Sequence, residues 1–267
     1  MCGTCGCAVT GAPRQPEHAR LGTLDSSAAR RETIDVLTHL LQENDDAAAH
    51  NREHFERHGV TVVNLMSAPG AGKTALLEAT IQALQGRLRL AVIEGDLETE
   101  NDAQRIRAHG VPAVQIVTGT ACHLDAHMIH RALHALELDG VDLLFIENVG
   151  NLVCPASFDL GQHAKVTLLS VTEGDDKPAK YPVMFRAADL VLYTKSDLLP
   201  VLDDFDPDRA TTHLRALAST APVYTLSARS PATLQPWLAW LDGLRTARAA
   251  GAHLRPRIQP QGAHVHA

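Results

Sequence analysis

The sequence predicts an α/β protein, a doubly wound and mostly parallel sheet of about seven strands with helices on both faces, preceded by a helical segment and a flexible cysteine-bearing tail. Three observations lead there. Short apolar runs at 61–66, 88–94, 113–118, 141–146, 166–171, 189–194 and 222–226 have the length of buried strands. Segments with helical character, at 72–85, 98–109, 124–137 and 207–219, alternate with them. The first run passes directly into a glycine-containing turn and then into the first of those helical segments.

Taken in order, the chain starts with Cys2-Gly3-Thr4-Cys5-Gly6-Cys7, which holds three of its five cysteines. Thiolates are soft ligands, and three within one turn of chain can close on Zn(II), Ni(II) or Cu(I). From the hexapeptide alone, metal binding, a reactive tail and a redox pair all stay open. A fourth donor would have to come from the terminal amine, a histidine such as His18, or a partner. Residues 8–26 show no apolar period and read as a linker, so the cysteines sit on a tether. The organisation expected is a flexible metal-binding tail at 1–26, one domain at 27–250 including its leading helices, and a disordered tail at 251–267 that ends in His264-Val265-His266. Within 27–58, Ile34, Leu37, Leu40 and Leu41 recur at helical spacing, and Asn44-Asp45 reads as a break between two helices.

Composition narrows the function. At 45% hydrophobic, the 267 residues can bury a full core. With 24 basic against 31 acidic residues, a net charge of −7 and no long basic run, the chain is not expected to bind nucleic acid. It has no apolar span of the roughly twenty residues a membrane helix needs and no secretory segment in its first thirty residues. Five cysteines, an odd number, fit a reducing cytoplasm rather than a disulfide framework.

The turn after the first strand is Ser67-Ala68-Pro69-Gly70-Ala71-Gly72-Lys73-Thr74, followed by the helical Ala75-Leu76-Leu77-Glu78. Strand, loop and helix in that order are the context of a phosphate-binding P-loop. Gly70, Ala71 and Gly72 would wrap backbone N–H groups around a β-phosphate, with Ala75 in the first helical turn. Lys73 would reach the β- and γ-phosphates, and Thr74 would offer its hydroxyl to Mg2+. Ser67 stands where the strict pattern has Gly.

Two acids fall at carboxyl ends of strands, where ligands of such sheets bind. Asp96 follows 88–94 and would hold Mg2+ directly or through water. Glu147 follows 141–146 in the position of a Walker B acid, with Gly150 placed to follow the γ-phosphate. Farther on, Thr194-Lys195-Ser196-Asp197 approximates the NKxD pattern, in which the acid accepts from guanine N1 and N2 and the lysine stem covers the ring. Thr194 replaces the usual Asn and alters one bond that braces this loop. Ser227-Ala228 matches the short element that packs on the base. Guanine is therefore expected over adenine.

Cys122-His123 and Cys154 are 31 residues apart, which is not a zinc-finger spacing, and taken alone would be a buried thiol and a capping histidine. Their position beside the 147–150 segment opens a second reading, a three-donor metal site that feels nucleotide state, with a vacancy a symmetry-related chain could fill.

Together these residues closely resemble the HypB family, GTPases that help deliver nickel to [NiFe] hydrogenase. The resemblance covers nearly the whole chain: the cysteine hexapeptide, the SAPGAGKT loop, Glu94-Gly95-Asp96 with Asn101-Asp102, Gly119 to His123, and Glu147-Asn148-Val149-Gly150-Asn151-Leu152-Val153-Cys154-Pro155. It continues through Ser170-Val171-Thr172-Glu173-Gly174-Asp175-Asp176-Lys177-Pro178 and Tyr181-Pro182. The resemblance implies slow hydrolysis of GTP to GDP with Mg2+, a tight Ni2+ site at Cys2, Cys5 and Cys7, and a weaker Ni2+ or Zn2+ site at Cys122, His123 and Cys154. It further implies a GTP-dependent homodimer interface at that weaker site, a HypA-type nickel accessory protein and a hydrogenase large-subunit precursor as partners. A urease-type maturation GTPase and a nickel buffer are the alternatives. Against the first stand Cys122-His123 without a Cys-Pro-His tripeptide and the terminal cysteines. Against the second stands the absence of the long histidine-rich stretch some members carry, because His18, His39, His50, His54 and His58 are scattered.

Overall fold

The computed structural model describes residues 26–97, 100–252 and 254, with side chains from His39 onward. The cysteine hexapeptide, the linker and nearly all of the histidine-bearing tail lie outside the described residues. Seven strands form the single sheet found among them: β1 Thr61–Ser67, β2 Leu90–Asp96, β3 Ala113–Val117, β4 Leu143–Glu147, β5 Ala164–Ser170, β6 Leu190–Thr194 and β7 Val223–Thr225. Their order is β3-β2-β4-β1-β5-β6-β7, and every pairing is parallel. A fully parallel sheet must be covered on both faces, which explains why β1, β4, β5 and β6 are predominantly apolar and buried along their length, polar Asn64, Lys165 and Thr167 included.

The helices are α1 Ser26–His58, α2 Lys73–Leu84, α3 Asn101–Ala108, α4 Ala126–Leu133, α5 Lys177–Lys180, α6 Pro182–Ala187, α7 Pro207–Ala216 and α8 Gln235–Ala249. Residues of α2 and α8 form one core with the sheet, centred on Leu76, Ile81, Phe145 and Trp237. There Trp237 Nε1 donates to Thr80 Oγ1 at 2.9 Å, which satisfies the indole buried between the two helices. A second core joins Phe55 of α1 and Ile129 of α4 to Ile93 and Leu144, and a third packs Phe185 and Leu214 on Tyr193.

Two expectations need correction. The break at Asn44-Asp45 does not occur, and α1 is continuous to His58. The unit that carries the sheet begins at Leu40, and its share of α1 runs from there. Asn44 is not a helix stop because its side chain is committed elsewhere: it is buried, donates Nδ2 to the Asp159 carbonyl at 2.8 Å and accepts from the Ala126 N–H at 2.9 Å. The second correction concerns strand ends. β2 runs on through Asp96 and β4 through Glu147, so both acids are ladder residues, paired in register with Val117 and Leu65. The sequence also gave no separate sign of α8, whose buried residues are spaced as an amphipathic helix behind Pro231. Among the described residues no helix is long and apolar enough to cross a membrane.

Candidate functional site

The carboxyl ends of β1, β2 and β4 open on a cavity of about 390 Å³ lined by the loop between β1 and α2. Gly70 and Gly72 have φ of 74° and 94°, the left-handed region that glycine enters without a Cβ penalty. α2 starts at Lys73 with no side-chain cap, which leaves the N–H groups of its first turn to an anion. Lys73 is buried, donates from Nζ to Ser67 Oγ at 3.2 Å and lies 4.0 Å from Glu147 Oε1. Ser67, a departure from the strict pattern, thus positions the lysine. Gly150 closes the other side: a Cβ there would stand 2.9 Å from the backbone N and Cα of Pro69, so only glycine lets the segment after β4 lie against the phosphate loop.

Beneath the loop two carboxyl groups face each other. Glu94 and Glu147 are register partners on β2 and β4, and both are buried. Thr74 Oγ1 donates to Glu147 Oε1 at 2.9 Å, while Oε2 of each glutamate is shielded without a partner. Burial, with the charge of Glu147 second, pushes the Glu94 carboxyl up to about 11, and burial also raises Glu147 against the opposing pull of Lys73. Because Lys73 and Thr74 both favour ionised Glu147, Glu94 carries the proton. The acids of Glu94, Asp96 and Asp102 bring oxygens within 4.8 Å of one another at the cavity edge. Clustered hard oxygen donors with two orphaned buried carboxylate atoms fit a small divalent cation. Asp102 is further fixed by Arg105, whose Nη1 donates to it at 2.9 Å. Glu94 and Asp102 carry no site signature in the sequence beyond the even spacing of Glu94 and Asp96 along a strand, which points both to one face.

A second cavity, about 360 Å³, adjoins the first across Gly72 and is bounded by Thr194, Lys195, Asp197, Ser227 and Ala228. Asp197 Oδ1 accepts from Ser227 Oγ at 2.5 Å, and this bond, first among its causes, holds the Asp197 carboxyl below the ordinary value. Lys195 takes a left-handed φ of 58° and donates to the Gly70 carbonyl at 2.7 Å, which lays its stem along the cavity wall. The altered brace expected of Thr194 is supplied another way. Its hydroxyl, buried, donates to the Ala71 carbonyl at 2.7 Å and ties this loop to the phosphate loop.

Cys122, His123 and Cys154 come together, with donor atoms mutually within 4.8 Å. The two sulfurs are 3.2 Å apart, both thiols are free, and Cys122 Sγ is 3.9 Å from His123 Nδ1. The His123 ring stacks on Phe158 at 3.9 Å, and burial holds it below the ordinary value, so it is neutral and able to ligate. The hydrogen bond shared with Cys122, in which Cys154 stays protonated, and then burial push the Cys154 thiol up. Asn148, not singled out in the sequence, joins this cluster to the phosphate cavity. It is buried directly after Glu147, and its Oδ1 accepts from the Leu124 N–H at 3.2 Å, one residue beyond His123. On the other flank, buried Lys165 donates to the Ala156 carbonyl at 2.9 Å and anchors the short helical turn that carries Cys154.

With this geometry in hand, comparison with known proteins is specific. Residues 61–225 match the family model described as CobW/HypB/UreG, nucleotide-binding domain. The hydrogenase maturation factor HypB of Azotobacter vinelandii is 56% identical over 244 residues, 91% of this chain and 77% of that protein. Its counterpart from Escherichia coli K12 is 48% identical over 230 residues, 86% of this chain and 79% of that one. Among solved structures, HypB from Helicobacter pylori in complex with nickel superposes with a TM-score of 0.76 at 40% identity, covering 81% of this chain and 99% of that one. HypB from Archaeoglobus fulgidus gives 0.71 at 38% identity, covering 77% and 100%. A P-loop sheet, two adjoining cavities and a Cys-His-Cys cluster joined to them through Asn148 therefore accompany close likeness over most of the chain, and the chain belongs to the HypB family of hydrogenase maturation factors.

Proposed function

We propose that the chain is a metal-binding GTPase that hydrolyses GTP to GDP and phosphate and acts as a nickel chaperone in the maturation of [NiFe] hydrogenase. The observation that carries this reading is the shared segment 147–154. Its first residue faces the P-loop, its second hydrogen-bonds beside His123, and its last is the thiol of the metal cluster. Contacts made to the γ-phosphate thus fall on the same backbone that positions a metal ligand.

In this reading Lys73 and the N–H groups of 70–75 bind and orient the phosphates, and Gly150 lets the 147–150 segment approach the terminal phosphoryl group. Asp197 and the 227–228 turn select guanine, with Lys195 along the ring. Mg2+, when bound, would supply charge neutralisation at the phosphates, and Thr74, Asp96, Glu94 and Asp102 would hold it. Among the described residues no side chain beside Gly150 is an evident base, which fits slow turnover. Cys2, Cys5 and Cys7 would form a tethered nickel site on a 1–26 tail, and Cys122, His123 and Cys154 a second site for Ni2+ or Zn2+. Three protein donors leave a position open, which a second copy of the chain, a HypA-type accessory protein or the hydrogenase large-subunit precursor would fill in turn in the cytoplasm.

Two measurements test this. Asp197→Asn should lower GTP affinity about tenfold or more through loss of the acceptor for the guanine amide and amine, whereas unchanged GTP affinity would remove the guanine assignment. In a Cys2/Cys5/Cys7→Ala variant, Ni2+ affinity should differ between GDP and a non-hydrolysable GTP analogue. Equal affinities would sever the proposed link between the two sites.

A further inference from the structure

Five histidines that look scattered in sequence gather on one face of the fold. His50, His54 and His58 follow one another at four-residue intervals along α1, and His130 and His134 do the same along α4 and its cap. The ring centres of His50 and His130 are 5.0 Å apart, those of His130 and His134 also 5.0 Å, and those of His54 and His58 4.7 Å. Two imidazoles bound tetrahedrally to one ion, with metal–nitrogen distances of about 2.0–2.1 Å, have ring centres about 5 Å apart.

We propose that His50, His54, His130 and His134 form a surface site for one borderline divalent cation of the Ni2+ or Zn2+ class, distinct from the phosphate cavity and from the Cys122-His123-Cys154 cluster.

The partners of the individual rings separate ligands from structural histidines. His58 is taken by Asp139, 2.8 Å from its Nδ1, and His163 is held between the Val62 N–H and Glu56. The four proposed ligands have ring contacts but, among the described residues, no such hydrogen bond, and Nδ1 of His130 is shielded without a partner. A ring nitrogen shielded from water without a hydrogen-bond partner is uncommon in a folded protein, and a bound cation would satisfy that of His130. His54 and His134 line one open recess floored by Leu133, Leu136 and Leu138. As placed, no three of the four rings bring donor nitrogens within 4.8 Å of one another, but His50 and His134 are exposed, so their side chains can rotate onto a common ion. Burial, then neighbouring charge, also holds His54 and His130 below the ordinary histidine value, in the neutral form that binds metals. Imidazole clusters without thiolate suit Ni2+, Zn2+ and Cu2+ over harder cations.

The test counts Ni2+ by equilibrium dialysis on the full chain with all five cysteines changed to Ala, with and without His130→Gln and His134→Gln. Far-UV circular dichroism and GTP binding report the fold. Removal of the two histidines should abolish about one equivalent of bound Ni2+ or weaken it about tenfold or more, and His39→Gln should leave it intact. Equal stoichiometry and affinity before and after the change would overturn the site. Should the cysteine-free chain not fold, imidazole resonances of the wild-type chain titrated with Zn2+ decide: shifts at His50, His54, His130 and His134 support the proposal, and shifts at His123 alone reject it.

Discussion

The phosphate cavity lies at the ends of β1, β2 and β4, the Cys-His-Cys cluster on the turns after β3 and β4, and the two are built on opposite plans. In the cavity almost every element is tied to another: Lys73 to Ser67, Thr74 to Glu147, Thr194 to Ala71, Lys195 to Gly70, Gly150 against Pro69. The cluster has three donors, each half-buried, on turns rather than strands, and its sulfurs touch each other instead of fixed partners. The first arrangement is preorganised for one ligand, which lowers the reorganisation cost of binding. The second offers three donors without a rigid frame around them, the plan expected of the exchangeable metal site proposed above. Asn148 and Gly150 are where the rigid region can act on the soft one.

The largest effects should come from breaking each region separately. Lys73→Ala removes the buried cation of the phosphate loop and should reduce GTP hydrolysis by about 100- to 1,000-fold in a phosphate-release assay, with Ni2+ binding at the cluster preserved. Loss of both would mean that the two regions are one folding unit rather than two sites. Conversely, Cys154→Ala should weaken metal at the cluster by about 100-fold, judged from the cost of disturbing ligand shells, and leave GTP affinity in isothermal titration unchanged. A parallel fall in GTP affinity would show that the cluster holds the cavity in shape.

Gly150→Ala sharpens the comparison by striking the joint. The added methyl meets Pro69 backbone atoms at 2.9 Å, and neither backbone can yield cheaply. A cost of about 1–3 kcal/mol is expected from overpacking, seen as a lower melting temperature and weaker GTP binding. The stronger reading is the nucleotide dependence of Ni2+ affinity, which should vanish. If that dependence survives while stability falls, the signal travels through Asn148 alone.

The same contrast explains what the sequence could and could not tell. Strands β1, β4, β5 and β6 were legible because burial on both faces imposes short, predominantly apolar runs, and the phosphate loop because its glycines and lysine are read from local order. Asp197 and Ser227 were placed by pattern, and they do meet. What escaped was tertiary. Asn44 has the local chemistry of a helix stop, and only its bonds to Ala126 and Asp159 make it a tie instead. Glu94 facing Glu147 depends on β4 lying between β2 and β1, a strand order no local pattern states. The gathering of histidines on α1 and α4 depends equally on two helices 80 residues apart sharing one core.

The smallest effect is also the most direct measure of how the cavity is charged before it binds. Glu94 has an ordinary value of 4.5 and is pushed up to about 11 by burial and by Glu147. Between those values the unfolded chain has released this proton and the folded chain retains it. Stability contributed by the protonated carboxyl is therefore full below the unfolded value and declines as pH rises, with a slope of at most about 1.4 kcal/mol per pH unit. Melting temperatures of the nucleotide-free chain should fall from pH 6 to pH 9, and Glu94→Gln, which keeps the shape without the proton, should flatten that fall. A divalent cation beside Glu94 would take the proton's place, so Mg2+ with GDP should stabilise the wild-type chain more at pH 8.5 than at pH 6.5, and the Gln variant about equally at both. An unchanged pH slope in Glu94→Gln would place the shared proton on Glu147, and with it the cation-holding charge on the β2 side of the cavity rather than beside Lys73.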